Sequence, residues 1–412
     1  MLSNSKGIII ISDNFADPNS ACGVCNLNLA KEFLNRGYRV WVLSISEIPF
    51  HVRLDSDYFC YIHVRESRFT SFARKRNVNR SYWTKFEWKI RYLFRLPFSF
   101  MNYPIGSPSL VRRLTRAINR ILEGNNIELL LGTFSPYESI AAIMKIKQRN
   151  KNLRVVSYHL DPLLIKKNNN KYIDGFKMFK GKKAVRKELK IVDGILAQPS
   201  TKSYLSSPQI KYVYFPLYSD YINGDNPDFV FNRNIINICY VGTLDIVNRN
   251  PSFIIDLIAK VDNILSKEGK RVCLHIWGSI KDDRLLELFQ EYKCVIYHGI
   301  IEPQYVGTLI CQCDVALNVS NGLSYTAIPS KIFQLFAAKR PIVNVVRHPH
   351  DFSRQIFDLY PCVFNIEEYN KTQVVIESLC SFIRLNYDKR VNVDRSLFRL
   401  SDPSYICDII EG

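Results

Sequence analysis

Four groups of residues in this 412-residue sequence have side chains and spacing suited to chemistry. Two are thiol pairs. Cys22-Gly-Val-Cys25 has the spacing of redox or zinc sites, but no second Cys or His pair follows at a suitable distance. Cys311-Gln-Cys313 borders an apolar run and reads as packing, so no metal site is expected. The third group, His159-Leu-Asp161, follows an apolar run and pairs an imidazole with a carboxylate, the residue types of acid–base catalysis. The fourth is a charge pattern. From Arg65 to Arg120 there are 14 Lys or Arg against Glu66 and Glu87, a local net of +12 within a chain total of +18. Aromatics such as Tyr82, Trp83, Trp88 and Tyr92 are interleaved with these cations. That mixture suits an anionic membrane surface or single-stranded nucleic acid, and a helical face with solvated charge is the plainer alternative. No nucleic-acid-binding signature accompanies it, which disfavours nucleic acid as the partner.

The elements that would position these groups follow from periodicity. Ile8–Ile11 is a β-branched run suited to a strand buried on both faces, followed by a polar loop over 12–23. Leu27, Ala30, Phe33 and Leu34 then repeat at helical spacing, Gly37 stops that helix, and residues 38–44 form the next strand. Such a strand–loop–helix–strand unit opens a doubly wound sheet. Further strands are expected at 128–132, 153–158, 191–197 and 211–215, with a helix over 139–147. Residues 216–234 carry Pro, Gly and Asn with little periodicity, a linker signature that we place at 219–234. A second alternating block then runs through strands at 235–241, 271–277, 295–297, 315–319 and 341–346, with helices at 251–265, 282–290, 303–311 and 330–338. A helix at 372–385 precedes a mixed tail. The expected class is α/β, with doubly wound domains over 1–218 and 235–385 and a tail over 386–412.

An apolar content of 47% is too high for a disordered chain, and no run reaches the roughly 18 apolar residues of a membrane span. The N-terminus lacks a basic region and cleavage site and reads as an immediate strand. Eleven scattered cysteines, most within apolar runs, point to a reducing, cytoplasmic setting.

Ligands of doubly wound sheets bind beyond the carboxyl ends of the strands. That rule selects 13–23, 132–135 and 159–162 in the first block. In the second it selects 242–251, 278–279, 298–299 and 320–331.

The text at those second-block positions carries a resemblance. YVGTLDIVNRNPSFIIDLI (240–258), LHIWGS (274–279), VIYHGIIEPQYV (295–306), CDVALNVS (313–320) and IPSKIFQLFAAKRPIV (328–343) resemble, in order and spacing, glycosyltransferases of GT-B fold. The match is to the family 4 type of bacterial polysaccharide assembly, including O-antigen and capsule. In the first block, NLAKEFLNRGYRVWVLS is similar to that family's opening helix and strand. The resemblance implies two Rossmann-like domains facing each other across a cleft, with a C-terminal tail returning to the first. It implies transfer of a sugar from a nucleotide-sugar donor to a glycan or lipid-linked acceptor, with retention and without an essential metal. Donor contacts would be Gly242, Thr243, Arg249, Gly278, Ser330, Lys331 and Gln334.

Arg249 and Lys331 match the family's cations for the leaving diphosphate, whose developing negative charge must be met by fixed donors. Gly242 lets a phosphate approach the backbone, and Ser330 would cap a helix aimed at it. His159 would touch the donor sugar and Asp161 would act as a base if the reaction inverts; a capping Asp and a packed His are the structural alternatives. Asp13, Asn14 and Gly23 would face the acceptor. Where the family carries two glutamates this chain has Thr326 and Gln334, and a neutral Gln accepts a ribose hydroxyl more weakly than a carboxylate. Asp55-Ser-Asp57 spells the metal motif of the other glycosyltransferase fold without its preceding apolar strand and reads as chance. The basic segment 65–120 fits an anionic membrane, at the inner face of the cytoplasmic membrane. Two other functions stay open: a sugar-nucleotide 2-epimerase of the same fold, and a non-enzymatic protein binding anionic surfaces or nucleic acid.

Overall fold

The structure, a computed structural model, describes residues 6–17, 20–45, 54, 56–66, 101–134, 136–160, 171–202, 205–217, 229–322, 328–368 and 373–412. Asp55, Asp161, Thr326, residues 67–100 of the basic segment and 219–228 of the expected linker lie outside the described residues. The chain divides into two units, Met1–Leu217 with Leu400–Gly412, and Tyr218–Arg399.

The first unit holds strands β1 (Gly7–Ser12), β2 (Arg39–Ser44), β3 (Phe59–His63), β4 (Ile127–Phe134), β5 (Arg154–His159), β6 (Gly194–Ala197) and β7 (Ile210–Tyr212). They form one sheet in the order β3-β2-β1-β4-β5-β6-β7 with parallel pairing. Ile8 to Ile11 are fully buried, as a strand covered on both faces requires. Its helices are α1 (Ala21–Asn35), α2 (Pro108–Leu122), α3 (Tyr137–Arg149) and α4 (Lys171–Leu189). Ser20 caps α1 by accepting from the Gly23 N–H, and Gly37 follows its end at φ 79°. Ser107 caps α2, whose Leu110, Val111, Leu114, Ile118 and Ile121 face the core.

The helix α4 and the strand β3 were not expected from the sequence. In α4 the buried positions reduce to Gly181, Val185 and Glu188, too sparse a stripe to stand out among its lysines.

The second unit holds β8 (Ile235–Val241), β9 (Arg271–Trp277), β10 (Val295–Tyr297), β11 (Val315–Val319), β12 (Ile342–Val346) and β13 (Val363–Glu367). The order is β10-β9-β8-β11-β12-β13, again parallel. Around it lie α5 (Ser252–Ser266), α6 (Arg284–Glu291), α7 (Pro303–Gln312), α8 (Lys331–Ala337), α9 (Phe352–Phe357) and α10 (Gln373–Asn386). Of these elements, α9 and β13 had no counterpart in the sequence reading. A side-chain ladder fixes the register of the last three strands: Asn318 Nδ2 donates to Asn344 Oδ1, and Asn344 Nδ2 to Asn365 Oδ1, each at 2.7 Å.

The tail is shorter than 386–412. Val391 N–H donates to the Lys339 carbonyl at 2.9 Å and Phe398 packs on Phe336, so residues up to 399 stay with the second unit. From Leu400 the chain joins the first. Tyr214 N–H donates to the Leu400 carbonyl, and α11 (Pro403–Glu411) is held by Arg36, which reaches Asp408, Glu411 and the Ser404 carbonyl.

In both sheets strand order reverses beside the first strand, at β1/β4 and β8/β11. The carboxyl ends there are the switch points where doubly wound sheets bind ligands.

Candidate functional site

In the second unit, the chain leaves β8 through Gly242 and β9 through Gly278, and both turns need glycine. Gly278 has φ 130°, and a Cβ there would stand 2.1 Å from the Gly242 carbonyl oxygen. Gly242 has φ 152° and donates its N–H to the Trp277 carbonyl at 2.9 Å, while Gly278 donates to Gly299 at 2.8 Å. The two turns are therefore stacked backbone on backbone, with Thr243 Oγ1 and Ser279 Oγ 2.9 Å apart across them.

Lys331, first residue of α8, brings its amine into this corner. Its Nζ is buried, has no hydrogen-bond partner among the described residues, and lies 4.2 Å from the centroid of the Tyr240 ring. A Cβ on Gly242 would be 3.5 Å from it. Burial, and then the charge of Arg249, pull the Lys331 amine well below its ordinary value. Burial pushes the Tyr240 phenol up to about 12, with Arg249 pulling the other way. A cation–π contact is a weak substitute for water around an ammonium, so an anion placed beside this amine would stabilise its charged form.

Arg249 is held from behind. Its Nε donates to Asn321 Oδ1 at 2.7 Å, leaving the rest of the guanidinium beside Tyr240 and Lys331. The loop carrying it is braced throughout. Asp245 Oδ1 accepts from the N–H groups of Val247 and Asn248, and Arg347 Nη1 donates to the Asn248 carbonyl at 2.8 Å. Gly322 N–H reaches the same carbonyl, and Arg347 is itself paired with Glu368. Tyr240, Asn321 and Arg347 were not named as site residues by the sequence reading, although Asn321 falls within the selected segment 320–331 and Tyr240 lies two residues before Gly242. Gln334 lies one turn along α8 from Lys331 and is half-buried. Ser330 departs from expectation: it has helical dihedrals and makes no side-chain cap bond, so its hydroxyl does not terminate the helix.

Near His298, another expected ligand segment, the imidazole Nε2 is 2.9 Å from His275 Nδ1 and the ring stacks on Trp277 at 4.2 Å. Burial, and then His298, hold His275 down to about 4.

No protein-family model and no curated protein sequence matches the chain. Solved structures do. A glycosyltransferase from Rickettsia africae ESF-5 superposes with a TM-score of 0.59 at 11% identity, covering 99% of this chain and 96% of that one. The trehalose-6-phosphate protein from E. coli bound with UDP-2-fluoro glucose gives 0.59 at 10% identity, covering 98% and 99%. The lipopolysaccharide outer core galactosyltransferase WaaB in its apo form gives 0.52 at 12%, covering 98% and 99%. The fold is that of the GT-B glycosyltransferases.

In the first GT-B unit, the carboxyl ends of the strands are knitted by neutral polar groups. Asn26 Nδ2 on α1 donates to Ser12 Oγ at 3.0 Å and Thr133 Oγ1 at 3.3 Å, and Thr133 donates to the Ile11 carbonyl. Asp13 and Asn14 form the turn that leaves β1; the Asn14 carbonyl accepts from Asp17 N–H. Gly23, expected in an acceptor loop, lies instead in the first turn of α1. A Cβ there would be 2.0 Å from the Asn14 carbonyl oxygen, so its place is explained by the close approach of helix and turn. Glu138 accepts from the Ser107 N–H, which anchors the start of α2.

His159 ends β5 with 1% exposure. Its Nε2 lies 2.8 Å from Glu188 Oε1, an oxygen that also accepts from Ser157 Oγ. Burial and the Glu188 charge push the Tyr137 phenol up beside them. This arrangement is the packed histidine, with its reach spent on Glu188, and not an imidazole open to a sugar. Glu188 was missed because α4 itself was missed.

Proposed function

We propose that the chain is a glycosyltransferase that moves a sugar from a nucleotide-sugar donor to a glycan or lipid-linked glycan acceptor. The carrying observation is the buried amine of Lys331, with no hydrogen-bond partner among the described residues, beside Arg249 and over glycine turns at the carboxyl ends of β8 and β9. Two basic groups converge where backbone can be approached closely, and a diphosphate is an anion of suitable size and charge for that corner.

In this reading Arg249 and Lys331 hold the diphosphate, Gly242, Thr243 and Gly278 line its approach, and Gln334 meets the ribose as a neutral partner. The bond from the anomeric carbon to the diphosphate oxygen breaks, and a bond to the acceptor hydroxyl oxygen forms, releasing nucleoside diphosphate and a proton. Charge building on the leaving oxygens is met by both basic groups. Burial and then Arg249 disfavour charge on Lys331 in the free protein, and a bound diphosphate, by compensating that charge, favours the ammonium.

The order of motifs supports a family 4-like enzyme working with retention and without an essential metal. The GT-B likeness to a protein bound with UDP-2-fluoro glucose supports a nucleotide-sugar donor, and the likeness to a lipopolysaccharide outer core galactosyltransferase supports a role in cell-surface polysaccharide assembly. Asp13 and Asn14 would face the acceptor. Asp161 is the base only if the reaction inverts, and His159 acts at most as a positioning group through Glu188. The basic segment 65–120 would bring the protein to the anionic inner face of the cytoplasmic membrane. Among the described residues no helix is long and apolar enough to cross it.

A thermal-shift screen of UDP-, GDP-, CMP- and dTDP-sugars tests the reading. One class of nucleotide should raise the melting temperature of the wild type, and Arg249→Ala and Lys331→Ala should each abolish the shift. No shift with any nucleotide, or shifts indifferent to both substitutions, would sink it.

A further inference from the structure

Helix α4 lies outside the donor corner, and the sequence reading did not single it out. It carries Lys171, Lys177, Lys180, Lys182, Lys183, Arg186 and Lys187 against Asp174 and Glu188, and Glu188 is turned inward. The buried residues Gly181, Val185 and Glu188 define the face that packs on the first unit. At 100° per residue the opposite pole falls on positions 172, 176, 179, 183, 186 and, just past the helix end, 190. Those positions are Tyr172, Phe176, Phe179, Lys183, Arg186 and Lys190, all exposed except the half-buried Phe176. The outward stripe is thus aromatic in its first half and cationic in its second.

Two further observations turn the stripe into a surface. Tyr103 and the side chains of Lys180, Lys183, Arg186, Lys187 and Lys190 wall a depression of about 460 Å³ with no acidic residue in its lining. Beside it, large apolar groups stand in solvent: Phe179 is 66% exposed and Met101 is 73% exposed. Lys180 ties the two together, since its Nζ donates to the Met101 carbonyl at 3.2 Å and lies 5.5 Å over the Phe176 ring. Solvated lysine clusters are common, but protruding apolar side chains alongside a hollow walled by five cations and no acid are not explained by solubility. Apolar groups that enter the acyl boundary beside cations that meet phosphate headgroups are what an interfacial helix presents to a bilayer.

We propose that the outward face of α4, with Met101 and the hollow beside it, is the docking surface of this protein for a bilayer rich in anionic phospholipid. Phosphate headgroups occupy the hollow among Lys180, Lys183, Arg186, Lys187 and Lys190, while Phe179 and Met101 enter the interface. The proposal rests on the membrane reading of the previous section and gives it a described surface. It is independent of the donor site.

Sedimentation with vesicles tests it, using phosphatidylcholine alone and phosphatidylcholine with phosphatidylglycerol. The wild type should pellet only with the anionic vesicles. The triple charge reversal Lys183→Glu, Arg186→Glu, Lys190→Glu should lower partitioning on the order of a hundredfold. Phe179→Ser should lower it roughly tenfold, and the Lys→Arg variants of 183 and 190 should retain it. All these positions are exposed, so circular dichroism should show each variant folded. A wild type that ignores anionic vesicles overturns this proposal and the membrane reading together, and leaves the nucleotide thermal shifts untouched. A wild type that binds, with α4 variants that bind equally, overturns the proposal alone and returns the role to residues 65–120. Tight binding of a single-stranded oligonucleotide, with Phe179→Ser binding vesicles as wild type does, overturns it in favour of general polyanion attraction.

Discussion

The two units each bury titratable groups at the carboxyl ends of their strands, and they treat them oppositely. In the first, the Glu188 carboxylate sits at 0% exposure with Oε1 2.8 Å from His159 and accepting from Ser157, while Oε2 has no hydrogen-bond partner among the described residues. In the second, the Lys331 amine is buried against the Tyr240 ring and near Arg249, with no hydrogen-bond partner among the described residues. Burial without compensation costs several kcal/mol per charge, so a fold keeps such a group only where something else relieves it. On the proposed reading, the carboxylate with two partners on one oxygen belongs to the scaffold and the amine is directed at a ligand. This contrast reverses the weight that residue type alone would assign, since a histidine near a carboxylate looks more catalytic than a lone lysine.

Substitutions should separate the two centres. Glu188→Ala strands His159 and Ser157 in the core and should cost about 3–5 kcal/mol in urea denaturation. Lys331→Met should do the reverse: the free protein melts at the same temperature or higher, while nucleotide-sugar affinity or turnover falls by about 10²–10³-fold. Equal destabilisation by both would erase the distinction. Gly278→Ala forces a Cβ toward the Gly242 carbonyl at a φ that disfavours it, and should cost about 1–3 kcal/mol together with the donor-induced shift.

The smallest effect is in pH. The folded-state value of Lys331 lies below that of the unfolded chain, so the unfolded state binds more protons between the two. Wild-type stability should therefore rise as pH climbs toward 10.5, and Lys331→Met should lose that part of the slope. A diphosphate raises the value again, so its affinity should strengthen as pH falls through the same window, by at most about tenfold per unit. Titrations at several pH values check both signs.

The fold was legible wherever periodicity was clean. Fully apolar runs such as Ile8–Ile11 and Ile235–Val241 marked buried parallel strands, and Gly37 marked a helix end. α4 was invisible because a helix whose outward face carries aromatics and cations and whose inward face includes Gly181 and Glu188 shows no clean apolar stripe. The donor corner was partly legible through Gly242, Arg249 and Lys331. What was not legible is contributed from a distance in sequence: Asn321 holding Arg249, Arg347 holding its loop, and Glu188 claiming His159. Gly23 shows a subtler limit, since a glycine in a ligand-binding segment can be there for packing.

The central claim is that Lys331 awaits a diphosphate and is charged by it. Calorimetric titration of the wild type and Lys331→Met with nucleoside diphosphates, in buffers of different ionisation enthalpy, measures this directly. At pH values below 10.5, the wild type should bind one nucleoside diphosphate with net proton uptake, and Lys331→Met should bind far more weakly with less uptake. Binding without proton uptake, or uptake unchanged by the substitution, would contradict it.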